Sequence, residues 1–109
     1  MSRWTDFLAS DGEKPDRHRD NEFELDSADT REAILARWEA GWNLLSKTLA
    51  SLRPGDLGKT VAIRNEPHTT LQAINRQLSH YSSHVGQIVL LAKHFAGPQW
   101  QTLSIPKKR

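Results

Sequence analysis

A chain of 109 residues with 37% hydrophobic and 26% charged residues has the size and composition of one globular domain and is too short for two. Because cysteine is absent, disulfides, thiolate metal sites and cysteine nucleophiles are excluded, and a bound metal would need histidine or carboxylate ligands. The formal net charge of +2 is more than accounted for by Lys107, Lys108 and Arg109, so no basic face typical of nucleic-acid binding is predicted.

The N-terminal part of the sequence predicts a short helix followed by a long loop. Residues 1–10 carry large apolar side chains at i, i+3, i+4 spacing, which is the pattern of a short amphipathic helix. Residues 11–28 are mostly polar and include Gly12 and Pro15, a composition that predicts a loop.

A long helix is predicted at residues 29–53. Asp29 and Glu32 have the spacing of a capping box at its start, and Pro54 and Gly55 end it. Apolar residues recur at helical spacing and predict one buried face. These residues are Ile34, Leu35, Trp38, Trp42, Leu45, Leu49 and Leu52.

A loop with a strand-like segment is predicted at residues 54–68, because Thr60, Val61 and Ile63 favour an extended backbone.

A second long helix is predicted at residues 69–96. Gly97 and Pro98 supply the signals that end it, and residues 97–109 are expected to form a tail. The predicted chain is therefore helical, with two long helices and one short N-terminal helix.

His80 and His84 are the candidate metal ligands. They lie four residues apart on the second predicted helix, so their imidazoles occupy one face, one turn apart, within reach of a single ion. The intervening residues 81–83 include no glutamate, which excludes the H-E-x-x-H pattern of zinc proteases. The helical spacing predicts that the pair lies with Gln77 and Gln87 at the edge of the core, where ordinary hydrogen-bonded histidines are the alternative interpretation. Solvated positions are expected for the other histidines, His18, His68 and His94.

Several stretches of the sequence carry motifs of a known family. They are Ile63–Thr69 with Leu71–Ile88 and, nearer the N-terminus, Arg3–Leu8 with Asp11–Pro15. Together with Thr30-Arg31-Glu32 and the helix that contains two tryptophans, they resemble an uncharacterised bacterial branch of the DinB/YfiT-like superfamily.

The resemblance implies an all-α fold class, a partial DinB-like up-down bundle that dimerisation would complete. It also implies a divalent metal ion, nickel or zinc, held by three histidines. Two of them correspond to His80 and His84. The third would lie upstream of Met1, so the resemblance implies a chain truncated at the N-terminus and a homodimer as its assembly.

Two functions are expected from these observations. The first is a metal-dependent hydrolase or thiol transferase that acts on an unidentified small-molecule substrate. The alternative is a non-catalytic dimeric scaffold, or a truncated remnant with an incomplete metal site, whose interface contains Trp38 and Trp42. A nucleic-acid partner ranks last. The sequence lacks the ~18 consecutive apolar residues of a membrane span and a secretory signal, so a cytoplasmic protein without a membrane partner is expected.

Overall fold

Two helices and a β-hairpin make up the regular structure of this computed structural model, which describes residues 2–105. Helix α1 spans Arg31–Ser51, strands β1 and β2 span Thr60–Ile63 and Glu66–Thr69, and helix α2 spans Thr70–Ala96. Short 3-10 turns lie at Ser2–Trp4, Asp20–Phe23, Pro54–Asp56 and Gly97–Gln99.

The described residues fall into two compact units, the first ending at Ala73 and the second beginning at Ile74. The basic tail Lys107–Arg109 lies outside the described range. No helix within that range combines the length and the apolar character needed to cross a membrane.

The all-α fold class predicted from the sequence is wrong, because β1 and β2 form an antiparallel hairpin. Its two-residue turn consists of Arg64 and Asn65, whose φ angles are +55° and +61°. Two consecutive left-handed residues exclude a helix at this point and match the twist of paired strands. The chain is therefore α plus β, with the hairpin between the two helices.

Pro67 lies within β2 without breaking the pairing of the strands. It faces Ala62, one step beyond the pair of Ile63 and Glu66 that closes the turn. Facing residues in antiparallel strands alternate between hydrogen-bonded and non-hydrogen-bonded pairs. Pro67 and Ala62 form a non-hydrogen-bonded pair, so the strand pairing needs no backbone N–H at Pro67. The carbonyl of Ala62 correspondingly points away from β2 and accepts a hydrogen bond from the backbone N–H of Gly12, at 2.8 Å.

The first unit contains a small apolar core. Val61 and Ile63 alternate with exposed or half-buried residues along β1, as expected for a strand with one buried face. The hydroxyl of Thr48 on α1 donates to the carbonyl of Trp4, at 3.0 Å, and so attaches the N-terminal segment to this helix. The buried apolar residues are Trp4, Phe7, Leu45, Val61, Ile63 and Ala73.

The N-terminal segment forms turns where a short helix was expected. Only Ser2–Trp4 adopts a 3-10 conformation, and the residues that follow are turns. Asp6 has a φ of +48°, which interrupts a right-handed helix. The apolar spacing nevertheless brings the rings of Trp4 and Phe7 together, with their centroids 4.9 Å apart.

Helix α1 is capped by Thr30, whose hydroxyl accepts a hydrogen bond from the N–H of Ala33 at 3.2 Å. Asp29, the residue expected to cap this helix, instead pairs with Arg37. Of the apolar residues predicted to form one buried face, Leu45 is buried and most of the others are exposed. The helical spacing fixes which face these side chains share, but burial requires a neighbouring element to cover that face.

Helix α2 begins with a capping box. The N–H of Thr69 donates to the side-chain oxygen of Gln72 at 2.8 Å, and the N–H of Gln72 donates to the hydroxyl of Thr69 at 3.1 Å. These two bonds satisfy backbone donors at the start of the helix. Gly97, with a φ of +51°, follows its last residue. The helix therefore has defined ends on both sides of the histidine pair.

Candidate metal site

Helix α2 brings the imidazoles of His80 and His84 into contact. Residues four apart lie nearly above one another on a helix, and here the two Nε2 atoms are 3.1 Å apart. The ring centroids are 4.4 Å apart and the ring planes meet at 84°. Both side chains are exposed, whereas the sequence predicted them at the edge of a core. The pair is therefore open to ligands from solution.

The distance between the two Nε2 atoms fits a shared metal ion. Bonds of about 2.0–2.1 Å from two imidazole nitrogens to one ion, at angles of about 90° to 109°, place the nitrogens about 2.8–3.4 Å apart. The observed separation of 3.1 Å lies inside this range. The same 3.1 Å is a hydrogen-bond distance between the two rings, so an ion bound between them would take the place of that contact.

Gln87 contacts one ring of the pair. Its side-chain oxygen lies 2.9 Å from Nδ1 of His84. This oxygen can accept a hydrogen bond from Nδ1 in the tautomer of His84 that leaves Nε2 without a proton. Metal-binding histidines commonly donate their second ring N–H to such a partner.

Other polar residues singled out in the sequence include Gln77, His68 and His94. Gln77 is buried. His68 is half-buried, and its Nδ1 lies 3.0 Å from the carbonyl oxygen of Glu66. His94 makes an edge contact with the ring of Phe95. His80 and His84 remain the candidate ligands because their Nε2 atoms lie close together and because Gln87 contacts Nδ1 of His84.

Within residues 2–105, no group of three or more His, Asp or Glu side chains is arranged to hold a metal ion. The five remaining residues, Met1 and 106–109, include none of these residue types. The pair therefore contributes two nitrogen ligands, and the third histidine that the resemblance implies has no counterpart beside them in the described residues. An ion bound at this pair would keep coordination positions for other ligands.

A second polar cluster lies in the first unit, at the hairpin turn. The carboxylate of Asp11 accepts hydrogen bonds from the backbone N–H groups of Glu13 at 2.7 Å, Arg64 at 2.9 Å and Asn65 at 2.8 Å. These bonds, that from Glu13 first, hold the pKa of Asp11 below its usual value of 3.8. In the sequence, Asp11 was noted only as part of the Asp11–Pro15 motif, although an aspartate followed by glycine is a common turn signal. The role of Asp11 is to attach the N-terminal segment to the hairpin.

Acidic residues on both sides also hold Arg17 in place. Its guanidinium lies 2.7 Å from the carboxylate of Glu22 and 3.0 Å from that of Glu13. These contacts, the hydrogen bond that Arg17 donates to Glu22 first, raise the pKa of Arg17 above its usual range. Each acid within this cluster has a basic partner, so its arrangement is that of a stabilised loop.

The fold and the site together define an α-plus-β chain that presents a helical pair of imidazoles. A model of the family described as "Protein of unknown function (DUF1572)" matches residues 1–109, and the chain belongs to this family. Neither the curated proteins nor the solved structures contain a match to it.

Proposed function

We propose that this DUF1572 chain is a relative of the DinB-like superfamily and binds a divalent metal ion, nickel or zinc, through His80 and His84. The observation that supports this proposal is the 3.1 Å separation of the two Nε2 atoms. Imidazole nitrogen is a preferred ligand of both ions. The hydrogen bond from His84 to Gln87 adds the second contact that such ligands usually have.

The chemistry that fits this site is hydrolysis or thiol transfer on a small-molecule substrate. When bound, a divalent ion with open positions supplies a Lewis acid for either reaction. The contribution of the chain itself is to hold the ion at two fixed nitrogens on the surface of α2. Gln87 keeps the proton of His84 on Nδ1 and so leaves Nε2 available to the ion.

Metal analysis of the purified protein tests this proposal. The protein is expressed in medium that contains nickel and zinc, and its bound metal is measured by mass spectrometry. We expect bound metal in the wild type and in His94→Ala, which removes another exposed histidine of α2. We expect its loss in His80→Ala and in His84→Ala. Wild-type protein that contains no metal after such growth, and binds none on titration, would rule the site out.

A second candidate function is that of a non-catalytic dimeric scaffold, and the apolar face of α1 favours it. Trp38 and Trp42 are 47% and 38% exposed, and their rings meet edge to face with centroids 5.6 Å apart. Adjacent exposed tryptophans are typical of protein interfaces.

This scaffold function is tested by the mass of the protein in solution. A dimer that persists in chelator, dissociates in Trp42→Glu and survives Lys47→Glu on the same helix would support it. A wild-type chain that stays monomeric in chelator would exclude it.

A further inference from the structure

We infer that the histidine pair of one chain and the pair of a second copy bind the same ion, so that the metal joins two chains. This inference rests on the proposed metal binding at His80 and His84. Each copy contributes two nitrogen ligands 3.1 Å apart. Zn²⁺ in structural sites takes four ligands, which is the number that two such pairs supply.

The ligand count leads to a second copy as the source of the missing ligands. Within residues 2–105, no further His, Asp or Glu joins the pair in a group that could hold a metal ion. Both imidazoles are exposed, so a second helix can reach them. Two identical pairs related by a two-fold axis form a self-complementary contact, the commonest arrangement of homodimers.

The surface around the pair suits contact between two copies. At 100° per residue, Ile88, Leu91 and Phe95 lie on the same side of α2 as the histidines. Their side chains are 51%, 56% and 83% exposed. Burying them against a second copy would add hydrophobic stabilisation to the metal bonds.

The identity of the ion determines what the bridge does. Four nitrogens complete the coordination of Zn²⁺ in the manner of a structural site, so zinc in this dimer serves assembly. Ni²⁺ in a tetragonal arrangement accepts further ligands, so nickel would leave positions for the chemistry proposed above.

The test is sedimentation of the full chain during titration with Zn²⁺, with metal binding measured in parallel by calorimetry. We expect the mass to double as the metal approaches one ion per two chains, and to return to that of one chain with excess chelator. His84→Ala should stay monomeric at every metal concentration. His94→Ala should behave like the wild type.

The two proposals fail in different ways. Zinc bound at one ion per chain with an unchanged monomeric mass would overturn the bridge and leave metal binding at the pair intact. A mass already doubled in chelator and unaffected by zinc would overturn the bridge as well. Absence of zinc binding in calorimetry would instead overturn the proposed function on which the bridge depends.

Discussion

The side-chain oxygen of Gln87 lies 2.9 Å from Nδ1 of His84, three residues earlier on the same helix. In the proposed metal site, a hydrogen bond from Nδ1 of His84 to this oxygen would leave Nε2 for the ion. Because losing such a partner typically weakens metal binding about 10–100-fold, we predict a loss of that size for Zn²⁺ in Gln87→Leu. Calorimetric titration measures it.

Ser83→Ala is the matched control for this prediction, because Ser83 is an exposed residue next to His84 in the same helix. Its zinc affinity should equal that of the wild type. Equal affinities in Gln87→Leu and the wild type would show that the hydrogen bond to His84 does not contribute to the site.

The contacts of Asp11 predict a pH-dependent contribution to stability. Its folded-state pKa lies below the usual 3.8 because backbone N–H groups, that of Glu13 first, stabilise the carboxylate. A carboxylate whose pKa is lowered by folding stabilises the protein above its unfolded pKa and loses this effect as the pH falls through its folded pKa. We therefore predict that Asp11→Asn lowers the melting temperature near neutral pH. The difference in melting temperature between the wild type and Asp11→Asn should decrease below about pH 4.

Scanning calorimetry of both proteins over this pH range measures this difference. Asp16→Asn serves as the control, since Asp16 is an exposed carboxylate in the same segment and its replacement should leave the melting temperature unchanged. A difference for Asp11→Asn that is constant down to the most acidic pH measured would mean that its ionisation makes no contribution.

Local signals in the sequence predict part of this structure. They do not predict the exposure of side chains, which depends on contacts between residues distant in the sequence. The four-residue spacing of His80 and His84 was sufficient to place both rings on one face, because a helix fixes that relation. It did not fix their exposure, which depends on the elements packed around α2. The same reason explains why Trp38 and Trp42 share a face as predicted and yet remain exposed.

The β-hairpin was also only partly predictable from local sequence. Thr60–Ile63 is strand-like in sequence because its residues favour extended structure, whereas Glu66–Thr69 contains a proline and carries no comparable signal. Pairing of the two segments depends on positive φ angles at Arg64 and Asn65. Arginine gives little indication of a left-handed conformation. The turn, and therefore the β-hairpin, could not be predicted from the sequence.

The core position of Phe7 predicts a large loss of stability on truncation. Phe7 is 5% exposed, whereas Phe23 in the neighbouring loop is 75% exposed. Removing a buried phenylalanine typically costs about 3–5 kcal/mol, so we expect Phe7→Ala to lower the free energy of unfolding by this amount. Phe23→Ala, which deletes the same atoms from the surface, should change it by less than about 0.5 kcal/mol. Urea unfolding measures both, and equal losses would show that Phe7 does not belong to the core.

The turn residue Arg64 predicts a stabilising substitution. Its φ of +55° costs an L-residue roughly 1–2 kcal/mol, and glycine avoids this cost. Glycine also makes the unfolded chain more flexible, which lowers the free energy of unfolding by about 0.4–1 kcal/mol. Arg64→Gly should therefore raise the free energy of unfolding by about 1 kcal/mol, the difference between these two effects.

The comparison with Arg64→Ala isolates the backbone contribution of this turn. Both substitutions remove the guanidinium, which lies 3.6 Å from the carboxylate of Glu13, but alanine keeps the Cβ atom that disfavours positive φ. Glycine should therefore be the more stable variant in urea unfolding. Alanine equal to or above glycine would mean that the positive φ angle at this position does not reduce the stability of the protein.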